Sequence, residues 1–347
     1  MIPSFRLAAA AAALFSGLCG LLAQPALAQE KVLNLYSARH YQTDEALYAN
    51  FTKATGIKIN RIEAGDEALL ERLNNEGANS PADVVLLVDA ARLAKAQAAG
   101  LFQPVQSAVL NERIPATLRA PDGSWYGFST RARLIVYNKA SVKPQDVDTY
   151  EELADPKNKG KVCTRSGAHP YQLSLAASLI EHLGEAKAEA WAKNVVANMA
   201  RPPRGGDTDQ IKAVAAGECG VAVSNSYYLA RLLRSDKPED KDVVGKIGFV
   251  WPNQADRGTH INISGGAVAK SAKNREAAVK FLEYLASDEA QAYFANGNNE
   301  WPAVKSVVLR NPALDQMGSF KADALPVAAL LKNSAAAQRM MDRAGYR

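Results

Sequence analysis

The sequence predicts an α/β protein of two lobes joined by two chain crossings. Three observations carry that prediction. The N-terminal third alternates apolar strands with amphipathic helices, the pattern of a parallel sheet. A long extended segment, residues 125–137, leads into a second set of strand–helix units, and segments 247–251 and 261–268 read as the return. About 320 residues remain once an export leader is set aside, enough for two lobes rather than one core.

The leader occupies residues 1–28. Arg6 supplies its positive charge, residues 7–22 are apolar and rich in small side chains, and Ala26, Leu27 and Ala28 form a cleavage site, so that the mature chain starts at Gln29. Bulky Leu18 precedes Cys19, where a lipid-anchor signal wants a small residue. No later stretch approaches the roughly 20 apolar residues of a membrane helix. The expected product is soluble, unanchored and, in a double-membrane bacterium, periplasmic. The leader carries Arg6 and no acid, so the formal charge falls from +5 to +4 on its removal. Basic residues are scattered, with no stripe or aromatic platform for nucleic acid.

In chain order, 32–36 reads as a strand. Thr43 is a candidate N-cap, with Asp44 and Glu45 in the first turn, Leu47 and Phe51 on one face and Gly56 as the stop. A second strand alternates over 57–62 and a helix follows over 67–76. The continuous apolar run 83–88 suits a strand covered on both faces, and 90–99 is the third helix. Beyond the crossing at 125–137, a strand at 161–165 precedes helices at 171–183 and 185–198. Helix 208–216, strand 220–224 and a helix starting at Ser226 come next. Residues 273–286 and those after them are helical, as is the Ala-rich tail from Ala322. Lobe 1 is thus 29–128 with 254–303 and lobe 2 is 129–253, with helices of 304–347 packing back on lobe 2.

The most informative residues are the adjacent tyrosines Tyr227 and Tyr228, which follow the apolar strand 220–224 and open a helix. A phenolate oxygen is a hard donor suited to a hard, highly charged cation, and in an exported chain two together suggest ferric iron. Further donors fall in matching places. His40 and Tyr41 follow strand 32–36, and Tyr171 follows strand 161–165. All five lie between the carboxyl end of a strand and the next helix, where open α/β sheets bind ligands and helix amino ends favour anions. A free phenol ionises near about 10, so Fe³⁺ must displace its protons. Four phenolates around Fe³⁺ leave one negative charge. Arg231, on the same helix face as the tyrosine pair, and Arg131, on the crossing strand, are the candidate charge partners.

These residues carry a family resemblance. The chain resembles the periplasmic ferric-iron-binding proteins of bacterial ABC transporters, in their tyrosine-rich, His-containing branch. The matching motifs are Leu-Tyr-Ser-Ala-Arg-His-Tyr (35–41), Gly-Ala-Asn-Ser-Pro-Ala-Asp-Val (77–84), Tyr-Asn-Lys (137–139), Thr-Tyr-Glu-Glu-Leu-Ala-Asp-Pro (149–156) and Ser-Tyr-Tyr (226–228). The resemblance covers essentially all of the mature chain. It implies a two-lobed periplasmic-binding-protein fold of the type II, Venus-flytrap kind with two hinge crossings. It also implies Fe³⁺ as ligand and delivery to an inner-membrane ABC permease with its ATPase. By motif position, the ligand roles fall on His40, Tyr41, Tyr171, Tyr227 and Tyr228, with Arg131 and Arg231 as charge partners. His40 either ligates throughout or yields its place to water, and a water or small anion is a candidate to complete the shell. A monomer is expected, since a flytrap presents both lobe faces to its transporter.

Plainer readings apply elsewhere. Tyr36, Tyr48 and Tyr137 follow strand or helix periodicity and read as core or lobe-face residues, and Trp125, Trp191, Trp251 and Trp301 as packing. His169 reads as a solvent-facing loop residue and Arg39 as a solvated charge, with Asp207 or Thr208 as a helix cap after Gly205 and Gly206. Cys163 and Cys219 each lie eight residues before a tyrosine of interest, at the opening of a strand. In an oxidising compartment they read as a disulfide, the alternative being two buried thiols. A binding protein for a polyamine, thiamine or an organic anion is the competing function. An enzyme is disfavoured: there is no H-E-x-x-H or G-x-S-x-G motif, and the chain has only 4 His.

Overall fold

The computed structural model describes residues 31–39 and 43–347. The leader 1–28 and the candidate ligands His40 and Tyr41 lie outside the described residues. The chain opens with β1 (Val32–Ser37), α1 (Asp44–Thr55), β2 (Lys58–Glu63), α2 (Asp66–Glu76), β3 (Val84–Leu87) and α3 (Ala90–Ala98). Short β4 (Phe102–Gln103) and α4 (Ala108–Arg113) lead to the 13-residue strand β5 (Tyr126–Asn138). Then come β6 (Val162–Cys163), α5 (Pro170–Leu183), α6 (Glu185–Ala197), α7 (Asp207–Ala215), β7 (Val221–Asn225), α8 (Ser226–Leu233), α9 (Pro238–Lys246) and β8 (Ile247–Val250). The chain returns through β9 (Ile261–Ala269), α10 (Arg275–Leu285), α11 (Asp288–Asn298) and β10 (Trp301–Pro302), and ends in α12 (Pro312–Met317), α13 (Ala329–Lys332) and α14 (Ser334–Arg343).

The strands hydrogen-bond in the order β2-β1-β3-β9-β5-β7-β6. β1 pairs parallel with β2 and β3, whose four residues are all buried, as their apolar run requires. β5 is the hinge strand. Its first half, from Tyr126 to Ala132, lies antiparallel to β9, and its second half pairs with β7 from Arg133 and with β8 from Ile135. One strand therefore belongs to both halves of the sheet, and β9 brings the chain back beside it.

Helix ends follow local chemistry, with some departures from expectation. Gly56 stops α1 at φ 71°, a conformation that costs a glycine little, and its N–H bonds Thr52 O at 2.8 Å. Thr43 does not cap α1: its backbone is already helical and its hydroxyl turns to Asn298 Oδ1. The strand expected over 161–165 is only two residues long, because its pairing with β7 stops at Cys163. The tail is not helical from Ala322. Residues near it are drawn into extended pairing with Thr259, and helix begins at Ala329. α14 packs on α5 and α6, while α13 touches both α5 and α3.

Tyr36, Tyr48, Trp125 and Trp191 are buried in the core, and Tyr137 packs partly buried against it. Trp251 and Trp301 share a half-buried aromatic cluster with Phe320, which stacks on Trp251 at 4.4 Å.

Cys163 and Cys219 form a disulfide, with Cα atoms 5.8 Å apart and a sequence separation of 56. Closing a loop of that length stabilises the fold by about 4 kcal/mol in the chain-entropy model. The mature protein, unfolded without reductant, should therefore show no free thiol, and reduction should lower its denaturant midpoint. One or two free thiols in that assay would remove the bridge.

Candidate functional site

The second half of the fold gathers three of the candidate tyrosines on two helix amino ends. Tyr171 lies in the first turn of α5, where Pro170 holds the first helical position without needing an N–H partner. Tyr227 and Tyr228 follow Ser226 at the start of α8. Ser226 is buried, and its hydroxyl accepts from the Ala132 N–H of β5 at 3.2 Å. That bond ties the tyrosine-bearing helix directly to the hinge strand. The Tyr171 and Tyr227 hydroxyls meet at 3.1 Å, and the Tyr227 and Tyr228 rings sit 4.2 Å apart. Tyr227 is buried and the other two are half-buried. The Tyr171 and Tyr227 oxygens thus meet, with the Tyr228 ring packed against Tyr227, at two helix starts.

Cations surround this cluster. The guanidinium carbons of Arg165, Arg131 and Arg133 lie 5.0, 5.7 and 5.9 Å from the Tyr171 ring centre. Arg231 stands exposed, 5.7 Å from the Tyr228 ring. Arg131 is buried, donating to Ser264 Oγ at 2.9 Å and lying 3.9 Å from Glu300. Burial pushes the Tyr171 phenol up to about 12, outweighing the downward pull of Arg131. The phenol is therefore neutral near pH 7, and a bound cation has to displace its proton.

Arg133 and Arg165 are the residues that sequence reasoning passed over. Both reach the buried Asp207 carboxylate, at 2.6 and 3.1 Å. Neither stands out in the sequence: Arg165 closes the expected strand 161–165, Arg133 sits within the crossing, and their shared partner Asp207 lies 42 and 74 residues away. Asp207 is not a helix cap. Asp209 serves the start of α7, accepting from Gly206 N at 2.7 Å, and Asp207 is spent on the two arginines.

Two other expectations are corrected. His169 is half-buried rather than solvent-facing. Its Nδ1 accepts from Tyr171 N at 3.2 Å, capping α5, and its ring packs edge-on to Tyr171 at 4.5 Å. Arg39 is not solvated. It is buried between Asp44, at 2.8 Å, and Glu300, at 3.3 Å, because β1 delivers it beneath α1 and α11.

A narrow gap beside Tyr171 is lined by Arg131, Arg133, Asn225 and His260 among others. Arg133 Nε and Asn225 Nδ2 are buried there without a hydrogen-bond partner among the described residues. Also among the described residues, no three His, Cys, Asp or Glu gather as a metal site. The hard donors on offer are phenols. Among the described residues, a hollow between Lys31, Ile57 and α10 is lined without a phenol.

Residues 46–325 match the family model described as bacterial extracellular solute-binding protein. The chain belongs to that family. This solute-binding protein is 50% identical over 319 residues to iron uptake protein A1 of Synechocystis, covering 92% of this chain and 88% of the relative. It is similar to a Trichodesmium protein solved in complex with iron and citrate ligands, at 55% identity and TM-score 0.87, covering 91% of this chain and all (100%) of that one. It also resembles a ferric binding protein from Campylobacter jejuni, at 43% identity and TM-score 0.86, again over 91% of this chain and 100% of the other. The fold is accordingly the two-lobed type II arrangement. No helix among the described residues is long and apolar enough to cross a membrane.

Burial also holds the His260 imidazole neutral, with its pKa lowered to about 3, and the neighbouring charges of Arg133, His182, Arg131 and Arg257 push the same way. The unfolded chain binds a proton near pH 6.5 that the native site refuses, so this group's contribution to stability is full above that pH and is lost as pH falls toward 3. Each such group contributes a slope of about 1.4 kcal/mol per pH unit. His260→Gln should flatten the urea-measured pH dependence of stability between pH 6 and 4 by about that slope. An unchanged slope would mean His260 titrates normally in the fold.

Proposed function

We propose that this protein captures ferric iron between its lobes through tyrosinates and hands it to an inner-membrane ABC permease with its ATPase. The observation that carries the reading is the convergence of Tyr171, Tyr227 and Tyr228 beneath Arg131, Arg133 and Arg165. Relatives named for iron uptake and ferric-iron binding support it, and they support transport rather than turnover.

His40 and Tyr41 complete the donor set from the first lobe, taken as 29–128 with 254–303. Tyr171, Tyr227 and Tyr228 come from the second, taken as 129–253, and 304–347 packs as a C-terminal extension. Ligation from both sides closes the cleft. Arg131 is the buried charge partner of the phenolates and Arg231 the exposed one. The unsatisfied Arg133 Nε and Asn225 Nδ2 suit a water or small anion that completes the shell. Export by the 1–28 leader places the monomeric protein in the periplasm, where the disulfide persists.

The test is a visible-light titration of the iron-stripped mature protein with chelated Fe³⁺. A saturable red-to-purple band at one iron per chain is expected. Tyr227→Phe and Tyr228→Phe should each weaken binding by at least about tenfold, the scale of a strong charge-assisted contact, and shift or bleach the band. Unchanged colour and affinity in both variants would take the pair out of the site.

Proton release gives an independent check. Each phenol that binds Fe³⁺ loses its proton, so in unbuffered solution near pH 7 iron binding should release one proton for each of Tyr41, Tyr171, Tyr227 and Tyr228, and affinity should rise with pH. Release of none would exclude tyrosinate ligation.

A further inference from the structure

The last turn of the chain reaches back to the base of the tyrosine cluster. Tyr346 is buried, and its hydroxyl accepts from Gln172 Nε2 at 2.8 Å. Gln172 Oε1 in turn accepts from Arg133 Nη2, and this arginine lies against the Tyr171 ring. Gln172 is the neighbour of Tyr171 in the first turn of α5.

A second contact approaches from the other side. A Cβ on Gly167 would collide with the Tyr346 carbonyl oxygen and come within 2.9 Å of its ring. Only glycine admits the tail this closely. Gly167 lies in the loop that ends in His169, whose Nδ1 holds the Tyr171 N–H. The tail is itself anchored, with Arg343 on Glu185 and Glu189 at 2.9 and 2.6 Å and Tyr346 N on Met341 O at 3.0 Å. Tyr346 therefore braces the residue after Tyr171 and the loop before it.

We propose that Tyr346 is a positioning residue for the Tyr171 phenol, acting through Gln172 and Gly167, an inference that rests on Tyr171 being an iron ligand. A residue that only filled the core would do so with its ring. Here the hydroxyl has a directed partner two bonds removed from the site, and the backbone sets the loop.

The experiment compares wild type, Tyr346→Phe, Tyr171→Phe and the double variant for Fe³⁺ affinity, by chelator competition, and for the position of the visible band. Tyr346→Phe keeps the ring and removes the hydroxyl, with its contacts to Gln172 and Thr164. It should weaken Fe³⁺ binding by about fivefold to tenfold, as loss of one buried hydrogen-bond partner does, and shift the band. In the Tyr171→Phe background the same change should alter affinity by less than about twofold, because residues coupled through a shared contact are not additive. Gly167→Ala, made alongside as a variant that retains the Tyr346 hydroxyl but pushes against the tail's backbone, should move affinity and band in the same direction.

A wild-type band and affinity in Tyr346→Phe overturn the proposal, as does an equal loss in both backgrounds. If Tyr171→Phe alone leaves colour and affinity intact, the ligand assignment of Tyr171 falls and the proposal falls with it, a result distinct from failure of the brace.

Discussion

A single buried carboxylate holds four segments of the second lobe together. Asp207, at the start of α7, accepts from Arg133 of β5 at 2.6 Å, from Arg165 after β6 at 3.1 Å and from the Asn225 N–H at the end of β7 at 2.7 Å. Burying such a group gains little against an apolar replacement, because desolvation offsets the attraction. Removing one partner is another matter, since an uncompensated buried charge costs about 3–5 kcal/mol. The value of the cluster lies in geometry. It fixes where two strand ends and two helix starts stand relative to one another, and so aims Arg133 and Arg165 at Tyr171.

That aim decides the electrostatics of the phenols. Asp207 offsets part of the positive charge beside Tyr171, and Arg131 adds its own downward pull on the phenol. Even so, burial wins for the free phenol and holds its pKa at about 12. The guanidinium carbons of Arg165, Arg131 and Arg133 lie 5.0, 5.7 and 5.9 Å from the Tyr171 ring centre, near enough to attract a negative charge on that side chain. The arginines alone do not ionise the tyrosine, but they stabilise the phenolate once a trivalent cation has displaced the proton. The Tyr171 oxygen is thus protonated near pH 7, and in the proposed site it becomes anionic when a highly charged cation displaces its proton.

The residues most legible in the sequence were those whose chemistry and position agreed. Tyr227 and Tyr228 follow an apolar strand and open a helix, and the fold places them so. Parallel β1, β2 and β3 follow from apolar runs and glycine stops. Position along the chain said less about charges. Arg39 looked exposed because its burial depends on the fold: Asp44 is five residues away, but Glu300, its other partner, lies 261 residues away. His169 looked like a loop residue because its role as a cap depends on a bond to Tyr171 N. Arg133 and Arg165 became visible only with Asp207, 74 and 42 residues distant. Periodicity reports what a residue faces, whereas ion pairs between distant segments follow from the completed fold.

The two sides of the cleft are prepared by different means. In the second lobe the Tyr171 and Tyr227 hydroxyls meet at 3.1 Å, so the fold itself sets their spacing. For the first lobe the described residues that flank His40 and Tyr41 are pinned instead. Arg39 binds Asp44 at 2.8 Å, spanning the segment from one side to the other. Thr43 bonds Asn298, and Asn298 Nδ2 reaches Asp44 at 2.9 Å. The short loop between β1 and α1 therefore leaves and re-enters the fold at set points. Under the proposed ligation by His40 and Tyr41, fixed ends at Arg39 and Thr43 lower the entropy cost of closing the segment between them, because few residues are free. Affinity in such a site comes from donors whose ordering is largely complete before binding, and here the ordering rests on β5, the strand common to both halves.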